Sequence, residues 1–430
     1  MNKKGLIVSG ILILCLVGGY VGFGMYRQAK IEETPTTHIA YALTQNDYGA
    51  AKGNIKFKVN RDSELLTSEV EDETVDYLAN LIENIKIKVN YNSDLPENNL
   101  DKLKLHSFVG LEYSDSPVIS ADVYYDALKV GMTSDQLMDY GISADLNKEL
   151  SKELDFEFKE IKFNDFYQVL IKEDELMKEF KGGYQKYLDV YGEVLDDKFE
   201  KSTETIDGAK CDSYTVELTY KDQMKLFSKM MKVVENDKAL KALTKDRVLK
   251  VIGLIESDYI EYFDAPQEEV EKKLKEARTN FKKDFDKNWD KMFVEMEKNI
   301  NSNSNALENL ENGELKGLNL EETFKQEMKY FITKDNRVKK TSISVKTPVG
   351  TLTEEFVLSE GGNVETDLDT FKDFNEIDED SLTQEVTYNA MDNVLNSEGM
   401  KKFRKDSKEL ATNEESKMLS SYLQMMFMGQ

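Results

Sequence analysis

The groups in this chain able to do chemistry are two histidines, one cysteine outside an N-terminal apolar run, and many carboxylates. His38 and His106 stand 68 positions apart, and neither falls in an H-E-x-x-H. A zinc site needs three or four nitrogen, sulfur or carboxylate ligands. Cys211 adds one, and no spacing in the sequence draws it to either histidine. Both histidines therefore read as solvated or structural, and no metal ligand is expected. The G-x-S-x-G elbow, the S-x-x-K pair and the Walker phosphate loop are all missing. Gly18, Gly19, Gly22 and Gly24 lie inside the apolar run, which rules out a phosphate cradle there. Residues 360 to 385 hold ten acids and one lysine, Lys372. Calcium prefers several oxygen ligands, but Asp378-Glu379-Asp380 lacks the EF-hand pattern and its glycine. This stretch reads as a solvated surface. No catalytic residue and no cofactor is expected. A glycosidase-like carboxylate pair is defined by separation in space, so a carboxylate-dependent cell-wall hydrolase stays as a third reading.

The elements that must position these groups are legible as periodicity. Residues 54 to 60 alternate Ile55, Phe57, Val59 with Lys56 and Lys58. Residues 85 to 91 set Ile85, Ile87, Val89 and Tyr91 against Lys86, Lys88 and Asn90. Period-two alternation gives one buried and one wet face, as in an antiparallel sheet. Between them, Val75, Leu78, Leu81 and Ile82 have helical spacing. Strands are expected over 103–113, 118–125 and 127–131, with Ser114 to Pro117 as a turn. Residues 134 to 195 read as mostly helical. Asp207-Gly208 between strand-like runs signals a hairpin. A helical block over 221–300 ends in the clearest helix of the chain. Pro266 opens it, and Asp264 with Gln267 has capping-box spacing. Its stripe of Val270, Leu274, Ala277, Phe281, Phe285, Trp289, Met292, Met296 and Ile300 reads as core. Asn301 to Asn305 reads as a polar break. Strands follow over 327–333, 337–346 and 351–358, then helices to the end. The last helix carries Met418, Leu419, Tyr422, Leu423, Met425, Met426 and Phe427. Methionine suits adaptable surfaces, but a stripe of this kind reads first as core. The order implies an α+β fold: a curved, half-barrel-like antiparallel sheet packed against helices.

The apolar run itself spans Leu6 to Tyr26, 21 residues without a charge, preceded by Asn2-Lys3-Lys4. A membrane helix needs roughly 20 residues. The run is longer than a signal-peptide core, and Cys15 follows Leu14 rather than a small residue, so neither cleavage nor lipidation fits. The expectation is an uncleaved transmembrane anchor, marked by Leu6, Leu12, Leu16 and Tyr26. Gly10, Gly18 and Gly22 share one face, and Gly18 to Gly22 is a G-x-x-x-G that would let two helices pair in a homodimer. The alternative is that glycine is simply frequent in membrane helices. The expected organisation is a cytoplasmic stub and anchor over 1–26, a juxtamembrane linker over 27–47 and an extracytoplasmic domain over 48–430. Two similar halves meeting near 200 are an alternative to a single sheet. Thr34-Pro35-Thr36-Thr37 reads as a helix break within the linker.

Composition narrows the partners. The 430 residues include 82 acids and 57 bases, a net charge of −25. Such a surface repels nucleic acid, and none is expected as a partner. At 40% hydrophobic and 10% aromatic residues, the chain is too apolar for a disordered stalk. Cys211 has no second cysteine outside the apolar run, so the soluble part forms no internal disulfide.

The segment Glu204-Thr205-Ile206-Asp207-Gly208-Ala209-Lys210-Cys211-Asp212-Ser213-Tyr214-Thr215-Val216-Glu217-Leu218, followed by a helical pattern, resembles the bacterial LolA-like lipoprotein-carrier and LppX-like superfamily. The shared pattern is a strand, a glycine turn and a Tyr-x-Val-x-Leu strand. The paired strands over 337–358 extend the resemblance, which covers about 200–358. It implies an unclosed, bent antiparallel sheet cupping helices around an apolar cavity, and in some members a bound lipid. The chain departs from that superfamily in keeping an apolar run instead of a lipidated cysteine. It is also similar in general organisation to uncharacterised single-pass envelope proteins of Gram-positive bacteria. The resulting expectation is a non-catalytic, membrane-anchored extracytoplasmic protein that binds a hydrophobic ligand, such as a lipid, or a partner protein at the cell envelope. The second reading is a structural or signalling module that dimerises through its anchor and long helix.

Overall fold

A computed structural model describes residues 34–427, apart from 46–48, 69, 97–98, 147, 149–161, 263–265, 313–323 and 366. The expected anchor positions Leu6, Leu12, Leu16 and Tyr26, and the glycine face of Gly10, Gly18 and Gly22, lie outside the described residues. Among the described residues no helix is long and apolar enough to cross a membrane.

The chain begins with α1 (Pro35–Thr44), β1 (Ala50–Val59), α2 (Asp72–Glu83), β2 (Ile85–Asp94), β3 (Lys104–Tyr113), β4 (Ser116–Asp126), β5 (Lys129–Thr133) and β6 (Ile142–Asp145). Next come α3 (Phe163–Ile171), α4 (Glu175–Gly182), α5 (Gln185–Leu195), β7 (Glu200–Ile206), β8 (Ala209–Thr219), α6 (Tyr220–Asn236), α7 (Lys238–Leu254) and α8 (Gln267–Asn312). It closes with β9 (Lys325–Thr333), β10 (Val338–Thr347), β11 (Gly350–Ser359), β12 (Lys372–Asp373), α9 (Glu379–Asn389), α10 (Glu398–Glu409) and α11 (Glu414–Phe427). The fold is α+β. The strands hydrogen-bond in the order β12-β6-β5-β4-β3-β2-β1-β11-β10-β9-β8-β7. The sheet is mostly antiparallel, and β12 pairs β6 in parallel. Two compact units divide the chain: Met1–Asn46 with Asn147–Glu322 and Tyr330–Val338, and Asp47–Leu146 with Thr323–Lys329 and Lys339–Gln430.

The first unit is built around α8. Phe285, Trp289, Met292 and Phe293 of that helix enter a core with Met177, Phe180, Tyr187, Leu240 and Leu243. The stripe expected to be core is core from Phe281 to Met296. The helix is longer than its sequence suggests: Asn301 to Asn305 reads as a break, yet α8 continues to Asn312. Its 46 residues correspond to roughly 70 Å at about 1.5 Å per residue. Arg247 of α7 is fully buried beside this core. Its guanidinium donates to both Asp174 oxygens, at 2.8 and 3.0 Å, to Asp246 at 3.0 Å and to the Lys172 carbonyl at 3.0 Å. Asp174 also accepts the Met177 amide at 3.0 Å and so caps α4. The Arg247 hydrogen bond, followed by that of Lys250, holds the Asp174 carboxyl well below the usual range. Asp237 caps α7 through the Leu240 amide and accepts the Tyr187 hydroxyl. Burial first, then that carboxylate, pushes the Tyr187 phenol up.

Two local features of this unit follow from turn chemistry. Thr34 caps α1: its hydroxyl accepts the Thr37 amide at 3.3 Å, and the Thr37 hydroxyl accepts the Thr34 amide at 3.1 Å. Thr34-Pro35 therefore starts a helix rather than breaking one, because a proline in the first turn gives up an N–H that has no helical partner. The β7–β8 hairpin turns at Asp207 (φ 49°) and Gly208 (φ 81°), the left-handed pair that a two-residue turn demands.

In the second unit, α2, α10 and α11 pack on one end of the sheet. Tyr77, Leu81, Tyr113, Val118 and Met400 form the buried centre. The Tyr113 hydroxyl donates to Asp406 at 3.1 Å, and its phenol is raised, by burial before the Asp406 charge. Polar bonds run beneath α11: Ser407 meets Tyr77 and Ser420, each at 3.1 Å, and the Gln424 amide donates to the Arg404 carbonyl at 2.9 Å. The short strands β6 and β12 lie in segments without strand-like alternation, and β6 replaces part of an expected helical stretch.

Candidate functional site

Directly opposed residues of an antiparallel pair share a face, so the register of β4-β3-β2-β1-β11-β10 lays out each face of the second unit's sheet row by row. One row runs Ile119, Leu111, Ile87, Ile55, Glu354, Ile343. The next runs Ala121, Val109, Val89, Gly53, Phe356, Thr341. On its outer sides lie Val123, Ser107, Tyr91 and Ala51 in one direction, and Phe57, Leu352 and Val345 in the other. This is a band of aliphatic and aromatic side chains across six strands, with one carboxylate, Glu354, set into it.

The helices cover only part of that band. At the Tyr113 end, Leu111 and Ile119 pack against the buried centre. Elsewhere the band is partly open: Ala51 is buried and Ile55, Phe57, Val89, Tyr91 and Phe356 are half-buried. Val109 is 44% exposed, and Ile85, Ile87, Val123, Val345 and Leu352 are exposed as well. All six lie on the same face. Alternation along β2 inverts the usual relation between polarity and exposure. Ile85 and Ile87 are each 36% exposed, while the Lys86 side chain between them is 20% exposed.

The opposite face explains the inversion. There Lys88 pairs with Glu112 at 2.5 Å, Lys86 with Asp115 at 2.9 Å, Lys104 with Asp126 at 2.9 Å and Lys340 with Glu355 at 2.5 Å. Along β2 and β3 ion pairs and lysine stems cover the polar face with its own side chains, whereas Lys52, Lys56 and Lys58 of β1 stay exposed on it. The band is bordered by Tyr91 and Tyr125, whose phenols burial pushes up. Gly53 is needed at its centre. A Cβ there would stand 2.2 Å from Cδ1 of Phe356, whose ring lies across the strand.

The two histidines lie in different units and share no site. His38 of α1 bonds the Tyr214 hydroxyl through Nδ1 at 2.7 Å and Asn336 through Nε2 at 3.0 Å, tying α1 to β8 and the β9–β10 turn. His106 of β3 bonds Asp122 at 2.6 Å and stacks on Tyr124 at 4.7 Å, on the polar face of the sheet. Phe371 meets that tyrosine edge-on, and its ring occupies the space left by Gly131 and Gly141. Cys211 is buried, its thiol 3.6 Å from the Ala209 carbonyl. Among the described residues no cluster of three or more His, Cys, Asp or Glu side chains is placed to hold a metal ion. Carboxylates with a clear shift, such as Glu83, Asp174 and Asp222, are lowered by their cationic or hydrogen-bonding partners.

One further surface departs from its sequence pattern. The Met-rich stripe of α11 was expected inside; Met418, Tyr422, Met425 and Met426 are instead exposed, while Ser416, Ser420 and Gln424 are buried. Among the described side chains of the stripe, Leu419 and Leu423 pack against the core. Alternation and helical spacing identified which residues share each of these faces, but carry no signal for what lies over them. The chain matches no family model, no curated protein and no solved structure.

Proposed function

We propose that this chain is a single-pass envelope protein whose extracytoplasmic α+β domain binds a hydrophobic ligand on the apolar band of its sheet. The observation that carries this reading is the joint exposure of Ile85, Ile87, Val109, Val123, Val345 and Leu352 on one face. Leaving apolar surface in water forfeits about 25 cal/mol per Å², and contiguous patches of this kind mark interaction sites. The rows cross six strands, room for an alkyl chain or fused ring, and Glu354 supplies one polar anchor for a donor-bearing head group. The resemblance of residues 200–358 to the LolA-like superfamily points to the same reading, since some members of that superfamily carry lipid. The run Leu6–Tyr26 would hold the domain at the membrane, so the ligand is sensed or passed on locally rather than carried away.

Native mass spectrometry of the full chain, released from detergent, tests this. The expected result is a discrete bound mass of lipid or similar size, lost in Val109→Asp. An empty protein in both forms would overturn it. The reading of a module that dimerises through Gly10, Gly18, Gly22 and α8 draws less support, because Phe285, Trp289, Met292 and Phe293 of that helix are already used inside their own unit.

A further inference from the structure

The sheet band leaves a second apolar surface unexplained, on the α10–α11 hairpin. Positions 418, 422, 425 and 426 fall on one side of a 3.6-residue helix. In α11 they are Met418, 74% exposed, Tyr422, Met425, 65% exposed, and Met426. The polar side of this helix is turned inward and bonded, through Ser420 to Ser407 and through Gln424 to the Arg404 carbonyl. The outward stripe is therefore fixed by contacts on the other side of the helix, not by a loose fit.

The charge beside it is unusual for this chain. The protein carries −25 overall, yet residues 401 to 408 hold five bases and one acid. Lys401, Lys405 and Lys408 follow the i, i+4, i+7 spacing of one helix face and are exposed. The acids of the two helices are largely engaged. Asp406 accepts from Tyr113, Glu398 pairs with Lys402 at 3.7 Å, Glu409 with Lys405 at 3.9 Å and Glu414 with Lys417 at 3.3 Å. Among the described residues no carboxylate pairs with Lys401 or Lys408. Salt screens the acids elsewhere beyond about 8 Å, so a local basic stripe keeps its sign.

We propose that the outer face of α10–α11 docks on an anionic bilayer surface, with Met418, Tyr422, Met425 and Met426 entering the head-group boundary and the unpaired Lys401 and Lys408 meeting lipid phosphates. The chemistry is that of an interfacial helix: unbranched apolar side chains and a tyrosine on one side, lysines long enough to reach outward on the other. Opposite charge selects an anionic lipid surface over a neutral one. A second copy of this face is disfavoured, because its own lysines would oppose each other. This surface is separate from the ligand band, so either assignment survives failure of the other.

The methionines report directly on the docking. The full chain is placed in nanodiscs of phosphatidylcholine alone, or of phosphatidylcholine mixed with phosphatidylglycerol, and pulsed with hydroxyl radicals. Mass spectrometry then reads sulfoxide at Met418, Met425 and Met426. Severalfold less oxidation in the anionic nanodiscs is expected, reversed by high salt and by Lys401→Glu/Lys405→Glu/Lys408→Glu. Those lysines are exposed, so the variant keeps its fold, checked by circular dichroism. Equal oxidation in both nanodiscs would overturn the proposal. So would protection that appears in detergent without lipid and grows with protein concentration, which would indicate a second copy instead.

Discussion

The two units handle apolar surface in opposite ways. In the first, α8 delivers its aromatic stripe into a closed core, where Trp289 is 2% exposed and even the Arg247 guanidinium is withdrawn from water. In the second, the sheet leaves one face half open and carries ion pairs on the other. A closed core with a buried arginine whose two terminal nitrogens are both bonded stabilises a fold. An apolar face that the described helices cover only in part is open to a further contact. On the function proposed above, the first unit is the scaffold and the second carries the recognition surface.

Breaking the first unit should give the largest stability effects. Trp289→Ala removes the centre of the α8 stripe and should lower unfolding free energy by about 4 kcal/mol, measured by denaturant titration. Arg247→Met strands the carboxylates that it serves and should cost about 3 kcal/mol in the same measurement. Neither should change binding at the sheet band while the protein remains folded.

Acid sharpens the same comparison. The Asp174 carboxyl is depressed in the folded state, chiefly by Arg247. Its contribution is fully present above the unfolded value of about 3.9 and is lost as pH falls toward the depressed one. Stability of the wild type should therefore decline more steeply below about pH 4 than that of Arg247→Met. Parallel curves for the two proteins would remove the ion pair from the account.

The second unit should show the reverse pattern. Val109→Asp places a charge on a surface that is already exposed, so stability should shift by less than about 1 kcal/mol. Binding of an apolar fluorophore should weaken about tenfold or more, since a carboxylate brought against an apolar ligand loses its water. Gly53→Val sits between these cases. It displaces the Phe356 ring, and it should cost about 1–3 kcal/mol and reduce binding together.

Much of this arrangement was legible in the residues. Alternation placed Ile55 with Phe57 and Ile85 with Ile87, and Asp207-Gly208 marked a real hairpin, because face-sharing and turn chemistry are local properties. Non-local features were not legible. Asn301 to Asn305 lies within a helix despite its poor propensity, and Pro35 opens a helix that packs against α5. The candidate site was legible only by half. Sequence names the side chains of the band and of the α11 stripe, but coverage depends on where α2, α10 and α11 come to rest. For α11 the hydrogen bonds of Ser407, Ser420 and Gln424 decide the matter against the apolar pattern.

The central claim is that the open band of β2, β3 and β4 holds a hydrophobic ligand. The most direct measurement is photo-cross-linking of the full chain with a diazirine-bearing alkyl probe, followed by peptide mapping. The account predicts adducts concentrated at Ile87, Val109 and Val123, competed away by unlabelled alkyl ligand. Labelling spread evenly over exposed apolar residues, or unaffected by competitor, would contradict it.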